Sequence, residues 1–214
     1  MNKKIAIFGT SGFAYEVADI AFSCQFDEVV LLSDNDTFSS NSDRIKIVPE
    51  ANIQALIDEG FCFAIGIGEP KVREKVYNKY KMLNYPNLIH PRASFGHLQM
   101  SLIKESKGNI ITSGVVFTNN IVVGNFGIYN LNTTVGHDCI IGDFVSIMPG
   151  VNISGNVELC NHVYLGVGAV ILQGDINKKL TVNSKSIVGA ASLVTKDVKA
   201  NVTVIGAPAK EFIR

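Results

Sequence analysis

The chain has 214 residues, is 47% hydrophobic, and sets 19 lysines and arginines against 19 aspartates and glutamates, for a formal net charge of zero. This length supports one large domain or two small ones, and balanced charge without a basic stripe sets nucleic acid aside as a partner. The four cysteines, Cys24, Cys62, Cys139 and Cys160, form no CxxC pair and keep no zinc-ligand spacing with the histidines, so reduced thiols in a cytoplasmic protein are expected, and no metal.

The opening "MNKKIAIFG" is too short an apolar run for a signal peptide or a membrane span, and no membrane insertion is expected. Lys4–Gly9 reads instead as a strand ending in glycine, and Ala14–Cys24 carries apolar residues at helical spacing. Glu28–Asp34 is a second strand with an acid at its end. Glu50–Glu59 reads as a helix, Phe61–Gly68 as a third strand, and Pro70–Leu83 as a charged amphipathic helix that opens on proline. Strands alternating with helices imply a parallel sheet with right-handed crossovers.

The loop Gly9–Ala14, "GTSGFA", follows a strand and opens a helix, so its amides can hold a phosphate. Ser11 stands at the second glycine of a dinucleotide fingerprint, which disfavours NAD. Asp34 can accept from a ribose or a base. The plainer alternative is that Gly9 and Gly12 only shape a β–α turn.

From about Pro91 the long helical patterns stop, and glycine, asparagine and β-branched residues take over. Stepping by six from Ile111 reaches Phe117, Val123, Tyr129, Val135, Ile141, Ile147, Ile153, Leu159, Leu165 and Ile171, an apolar residue at every step. The position four after each is usually small or valine. The register slips after Ile171 and is expected to resume at Ile176, Val182, Val188 and Val194. Glycines just after the aliphatic, such as Gly136 and Gly166, are expected to permit tight turns.

One turn differs from the others. His137 lies two residues after the inward Val135, so it should sit on the outer surface near a corner, followed directly by Asp138. Hexads of this kind resemble the hexapeptide-repeat proteins, whose coils take eighteen residues, and that resemblance implies that Gly155, one coil onward, falls above His137, where a missing side chain leaves room for a ligand and an exposed N–H can meet a developing oxyanion. Asp138 can orient the imidazole. Base, acid and oxyanion donor make an acyl-transfer site; a solvated surface histidine is the competing reading. Cys139 takes a small inward position and reads as core. Cys160 replaces a turn glycine, His162 is given no role, and Lys178 and Lys179 either meet an anionic ligand or solvate a loop.

The hexads resemble the hexapeptide-repeat proteins, which wind a left-handed parallel β-helix of triangular, eighteen-residue coils. With "IAIFGTSGFAYEVADIA", "FAIGIGEPKVREKVY", "NLIHPRA", "TVGHDCIIGDF", "GNVELCNHVYLGVGAVI", "SIVGAASLVTKDV" and "IGAPAK", nearly the whole chain resembles the bacterial sugar acyltransferases. Those include bacillosamine-pathway nucleotide-amino-sugar N-acetyltransferases and sialic acid O-acetyltransferases. The resemblance implies a Rossmann-like domain over residues 1–90, a β-helix over 91–214, and a homotrimer. It also implies His137 as general base supported by Asp138, and acetyl-CoA in a groove between neighbouring β-helices, touching Ser146, Gly155, Val167 and Ala190. Asn130 would lie near the acceptor amine. The nucleotide would be held by Gly9, Thr10, Ser11, Gly12, Phe13, Asp34 and Gly66. Relatives often carry "GHG" where this chain has Gly12-Phe13-Ala14. The implied activity is transfer of acetyl to a nucleotide-linked 4-amino sugar, UDP-linked, for bacterial surface glycans. Sugar O-acetylation is the first alternative and a non-enzymatic β-helix scaffold the second.

Overall fold

The computed structural model describes residues 2–34 and 44–213. Its N-terminal part is a parallel four-stranded sheet built from β1 (Lys4–Phe8), β2 (Glu28–Ser33), β3 (Lys46–Pro49) and β4 (Cys62–Ile65), in the order β3-β2-β1-β4. β1 and β2 are the inner strands and run as nearly continuous buried apolar segments because helices cover both faces of the sheet. Helix α1 (Gly12–Ser23) buries Ala14, Val17, Ala18 and Ala21 against one side. Helices α2 (Ile53–Asp58) and α3 (Pro70–Lys79) flank the sheet, and α3 starts on Pro70 with Glu69 accepting from the Lys71 N–H. The sequence reading missed β3 and drew α3 four residues too long, since Tyr80–Leu83 keep the apolar pattern after the helix has ended.

From β5 (Leu88–Ile89) and β6 (Ser94–Phe95) onward the chain coils through three parallel sheets, interrupted by the short helix α4 (Gln99–Ile103). We call these the first face (Ile128–Tyr129 and its neighbours), the second (Thr134–Val135) and the third (Ile140–Ile141). Each coil pairs in register with the coil eighteen residues on: Ile128 with Ser146, Thr134 with Asn152, Ile140 with Glu158. The residues of the six-step run are inward and buried, forming one continuous core from Ile103 to Val204. Each fully buried aliphatic there contributes about 1.5–3 kcal/mol relative to exposure.

Two expectations about this part are corrected. Ile176 is not inward but 97% exposed. The step between paired coils lengthens at this point, from Leu159 to Val182 and from Leu165 to Val188, and the five extra residues make an outer loop that carries Ile176. The glycines after each aliphatic are also not there for a left-handed turn. A Cβ on Gly136 would stand 2.6 Å from the Gly155 nitrogen, and one on Gly166 2.6 Å from the Ala190 nitrogen. They are glycine because the next coil's backbone lies against them. The left-handed residue comes two positions later, at Asp138 (φ 60°) and Gly168 (φ 67°), with asparagine filling the same role at Asn120, Asn132 and Asn156.

The two parts are joined by a polar bolt and an aromatic stack. Arg73 of α3, 1% exposed, donates to the carbonyls of Phe126, Ile67, Gly68, Phe144 and Val145 and to Ser146 Oγ. Burial pulls its pKa down to about 9, still above neutral, so the cation persists. Beside it Phe126, Phe144 and His162 stack along one corner, one per coil, and Tyr77 of α3 lies 4.5 Å from the Phe126 ring.

Candidate active site

His137 stands on the corner between the second and third faces. Its Nδ1 is 2.7 Å from Asp138 Oδ2. The left-handed backbone at Asp138 turns the carboxylate back toward its own neighbour, which an extended residue there would not do. Asp138 Oδ1 accepts from Asn120 Nδ2 at 2.6 Å, one coil below. The hydrogen bond from Asn120, then that to His137, holds the Asp138 carboxyl below the usual carboxylate range, and the charge of Lys179 acts the same way. With Nδ1 committed to Asp138, Nε2 is the ring nitrogen left to take a proton.

Gly155 lies over the imidazole: a Cβ there would come within 2.7 Å of the ring. Its N–H makes no hydrogen bond among the described residues. The side chain missing at Gly155 thus makes room for the imidazole itself and not, as expected, for a ligand, while the Gly155 N–H is left as an unpaired donor among the described residues. Around this turn is an open cavity of about 480 Å³ lined by His137, Asp138, Gly155, Asn156, Asp175 and Ile176.

A second cavity, about 280 Å³, lies at the ends of β1 and β2, lined by Gly9, Thr10, Asp34, Glu50, Lys75 and Lys79 among others. Three of its residues are among those the sequence singled out. The rest of that set stands elsewhere. Ser11 and Gly12 are exposed at the start of α1, and Phe13 packs against the apolar cluster under that helix. Gly66 is buried, and a Cβ on it would strike the Ala14 Cα at 2.8 Å, so close packing of α1 against the chain after β4 accounts for the glycine without a nucleotide.

The expected acetyl-CoA contacts are not gathered around His137 within one chain. Ser146 is on the first face and fully buried, its hydroxyl taken by Arg73 and by the Gly68 carbonyl. It faces the domain junction and not a groove, which corrects that assignment. Val167, 55% exposed, and Ala190 lie on the corner between the first and second faces, one coil apart. Asn130 is on that corner too, but buried, with its Oδ1 held by the Leu131 N–H. His137 and Gly155 are across the width of the second face from them.

Several contributors were missed. Asn120 was findable, since it stands one coil before Asp138. Glu50, which accepts from Lys79 Nζ and from Tyr80 Oη at 2.8 Å each, carried no motif. His162, given no role, stacks on Phe144, with Nε2 3.1 Å from Glu74 Oε2 but without hydrogen-bond alignment. Lys178 pairs with Asp197. Lys179 donates to the Asp138 carbonyl and to Asn156 Oδ1. Among the described residues no three His, Cys, Asp or Glu side chains gather as metal ligands, and no helix is long and apolar enough to cross a membrane.

A parallel β-helix with a His-acid pair under a bare glycine, joined to a Rossmann-like domain, defines a hexapeptide-repeat acyltransferase, and the chain belongs to that family. Residues 4–80 match the family described as the PglD N-terminal domain. Over 155 residues the chain is 34% identical to GDP-perosamine N-acetyltransferase of Escherichia coli O157:H7, covering 71% of this chain and 68% of that one. WeeI from Acinetobacter baumannii AYE superposes with a TM-score of 0.86 at 26% identity, covering 99% of this chain and 100% of that one. The acetyltransferase domain of PglB from Neisseria gonorrhoeae FA1090, in complex with acetyl coenzyme A, gives 0.85 at 26% identity over the same shares.

Proposed function

We propose that the protein transfers an acetyl group from acetyl-CoA to the amine of a nucleotide-linked 4-amino sugar. The observation that carries this is the His137–Asp138 pair at 2.7 Å beneath Gly155. The relatives named GDP-perosamine N-acetyltransferase and PglB acetyltransferase supply the substrate class.

In this reading the sugar amine, lying near His137 Nε2, attacks the thioester carbonyl. A C–N bond forms as Nε2 takes the amine's proton. The charge on the carbonyl oxygen is met by the Gly155 N–H, and the C–S bond then breaks, the thiolate leaving with the proton from His137. General base and oxyanion donor each supply about 10²–10⁴-fold in rate. Val167 and Ala190 hold CoA from a neighbouring chain, because within one chain their corner lies across a whole face from His137. The catalytic unit is then a homotrimer of left-handed β-helices with sites between copies.

The α/β part forms the acceptor domain, and the coil stack, which begins at β5 (Leu88–Ile89) just before the expected boundary at 90/91, forms the transferase domain of a cytoplasmic enzyme of surface-glycan synthesis. The cavity with Gly9, Thr10 and Asp34 takes the nucleotide, its phosphates toward Ser11 and Gly12 at the start of α1. UDP is the nucleotide the family resemblance suggests. GDP is the nucleotide in the name of the relative GDP-perosamine N-acetyltransferase; Glu50 engages Lys79 and Tyr80 through a single oxygen, Oε2, and its other oxygen can accept one base N–H, from guanine or uracil alike. A thiol-release assay with acetyl-CoA against UDP-, GDP- and dTDP-linked amino sugars tests the whole reading. Turnover of a free sugar alcohol in preference to all of them would favour O-acetylation, and release with none would favour a scaffold.

A further inference from the structure

Besides the α4 insertion near its start and a shortened last step, the coil stack departs from its eighteen-residue spacing where five extra residues loop out between Ile171 and Leu180. That loop borders the cavity of His137 and returns to the stack at Lys179. The lysine does not point into solvent as its neighbour Lys178 does; it is partly buried, and its Nζ is spent on the Asp138 carbonyl and, at 2.9 Å, on Asn156 Oδ1.

Both partners belong to the reacting turn. The Asn156 N–H donates to the His137 carbonyl at 2.8 Å, and its Nδ2 donates to the Asp175 carbonyl in the loop at 2.6 Å. Asp138 is held by its N–H to the Asn119 carbonyl, by Oδ1 to Asn120 and by Oδ2 to His137. Its carbonyl is the remaining polar atom, and Lys179 takes it. The other charged groups near the turn are engaged: Asp175 accepts from the Asn177 and Lys178 N–H groups, and Lys178 pairs with Asp197. Lys179 is thus the cation that faces the His137–Asp138 pair from the loop.

We propose that Lys179 is a positioning residue for acyl transfer, and that the five-residue loop exists to deliver it. It fixes the left-handed turn that aims Asp138 at Nδ1, and its charge keeps the Asp138 side chain an anion. This rests on the reading of His137 as the base. Removing the cation beside Asp138 lets its carboxyl take up a proton at higher pH, so the acid limb of the rate profile should move up.

The test uses the full-length protein with acetyl-CoA and GDP-perosamine, or a UDP-linked 4-amino sugar where that is the acceptor turned over. Lys179→Met should lower kcat by about tenfold or more, leave both KM values near wild type, and shift the acid limb to higher pH. Lys179→Arg, which keeps charge and donors, should restore the limb and most of kcat. Asn156→Ala covers the case in which Lys179→Met fails to fold: it loosens the lysine without changing charge, so kcat should fall with the limb unmoved. A folded Lys179→Met with wild-type kcat and profile overturns the proposal, as does wild-type kcat in Asn156→Ala. His137→Ala run alongside separates the two claims. If it is inactive while Lys179→Met is normal, only the role of Lys179 falls; if it too is normal, the base assignment falls with it.

Discussion

Arg73 Nη1 lies 3.0 Å from Ser146 Oγ, across the junction between the α/β sheet and the coil stack. Among the described residues no carboxylate pairs with this buried guanidinium; carbonyls of Phe126, Phe144 and Val145 on one side and of Ile67 and Gly68 on the other surround it. Arg73→Ala would leave those acceptors buried and unmet, at about 1–3 kcal/mol each where water cannot enter. Urea unfolding should show a loss of at least about 3 kcal/mol. Arg73→Lys should recover only part of it, because a point charge with three donors cannot span a planar fork.

The reacting pair makes a different kind of prediction. His137→Ala should lower kcat by about a hundredfold or more, with acetyl-CoA affinity by calorimetry little changed. Asp138→Asn keeps the size and the link to Asn120 but loses the anion, so its effect on kcat should be smaller. A rate for His137→Ala within threefold of wild type would sink the assignment.

Two glycines should separate the two substrates. Gly155→Val places atoms where the imidazole now stands, since even a Cβ comes within 2.7 Å of the ring; kcat should collapse. At Gly12 nothing lies within 4 Å of an added Cβ, and an acid in the first turn suits the helix dipole. Gly12→Asp should therefore fold normally. If phosphates sit there, like charges about 4 Å apart repel by about 4 kcal/mol at an effective dielectric of 20. Steady-state kinetics should show the acceptor KM rising steeply and that for acetyl-CoA nearly constant. An unchanged acceptor KM would remove the nucleotide from this domain.

Assembly can be read directly. If Val167 and Ala190 hold CoA as proposed, their position on a different corner from His137 means that the groove needs a second chain. Sedimentation should find a trimer at working concentration, and specific activity should fall when dilution dissociates it. A fully active monomer would contradict the shared site.

The coil stack was legible because its period is a steric rule: one aliphatic per six residues fills the prism, and Gly155 above His137 follows by counting. Asn120 follows by the same count. The loop was not legible, because Ile176 fits the apolar step by chance while the register has already slipped. Ser146 failed for another reason. Its outer position in the repeat is right, but α3 covers it with Arg73, and a helix laid on a sheet leaves no mark on the sheet's own periodicity. The turn glycines read as flexible residues and Gly66 as a nucleotide contact, whereas each lies where neighbouring backbone comes close.

The bolt at Arg73 also sets a scale. The α/β domain grips the stack at Phe126, Phe144 and Val145, within a coil of His137, and successive coils are spaced like neighbouring strands, about 4.8 Å apart. If the nucleotide sits in the cavity at Gly9 and acyl transfer occurs at His137, as proposed, the distance between them is set in whole coils, which side-chain substitutions do not tune gradually. Such an enzyme would select its acceptor's length as a ruler does, by graduations, and an inserted or deleted coil would move the reach by one mark.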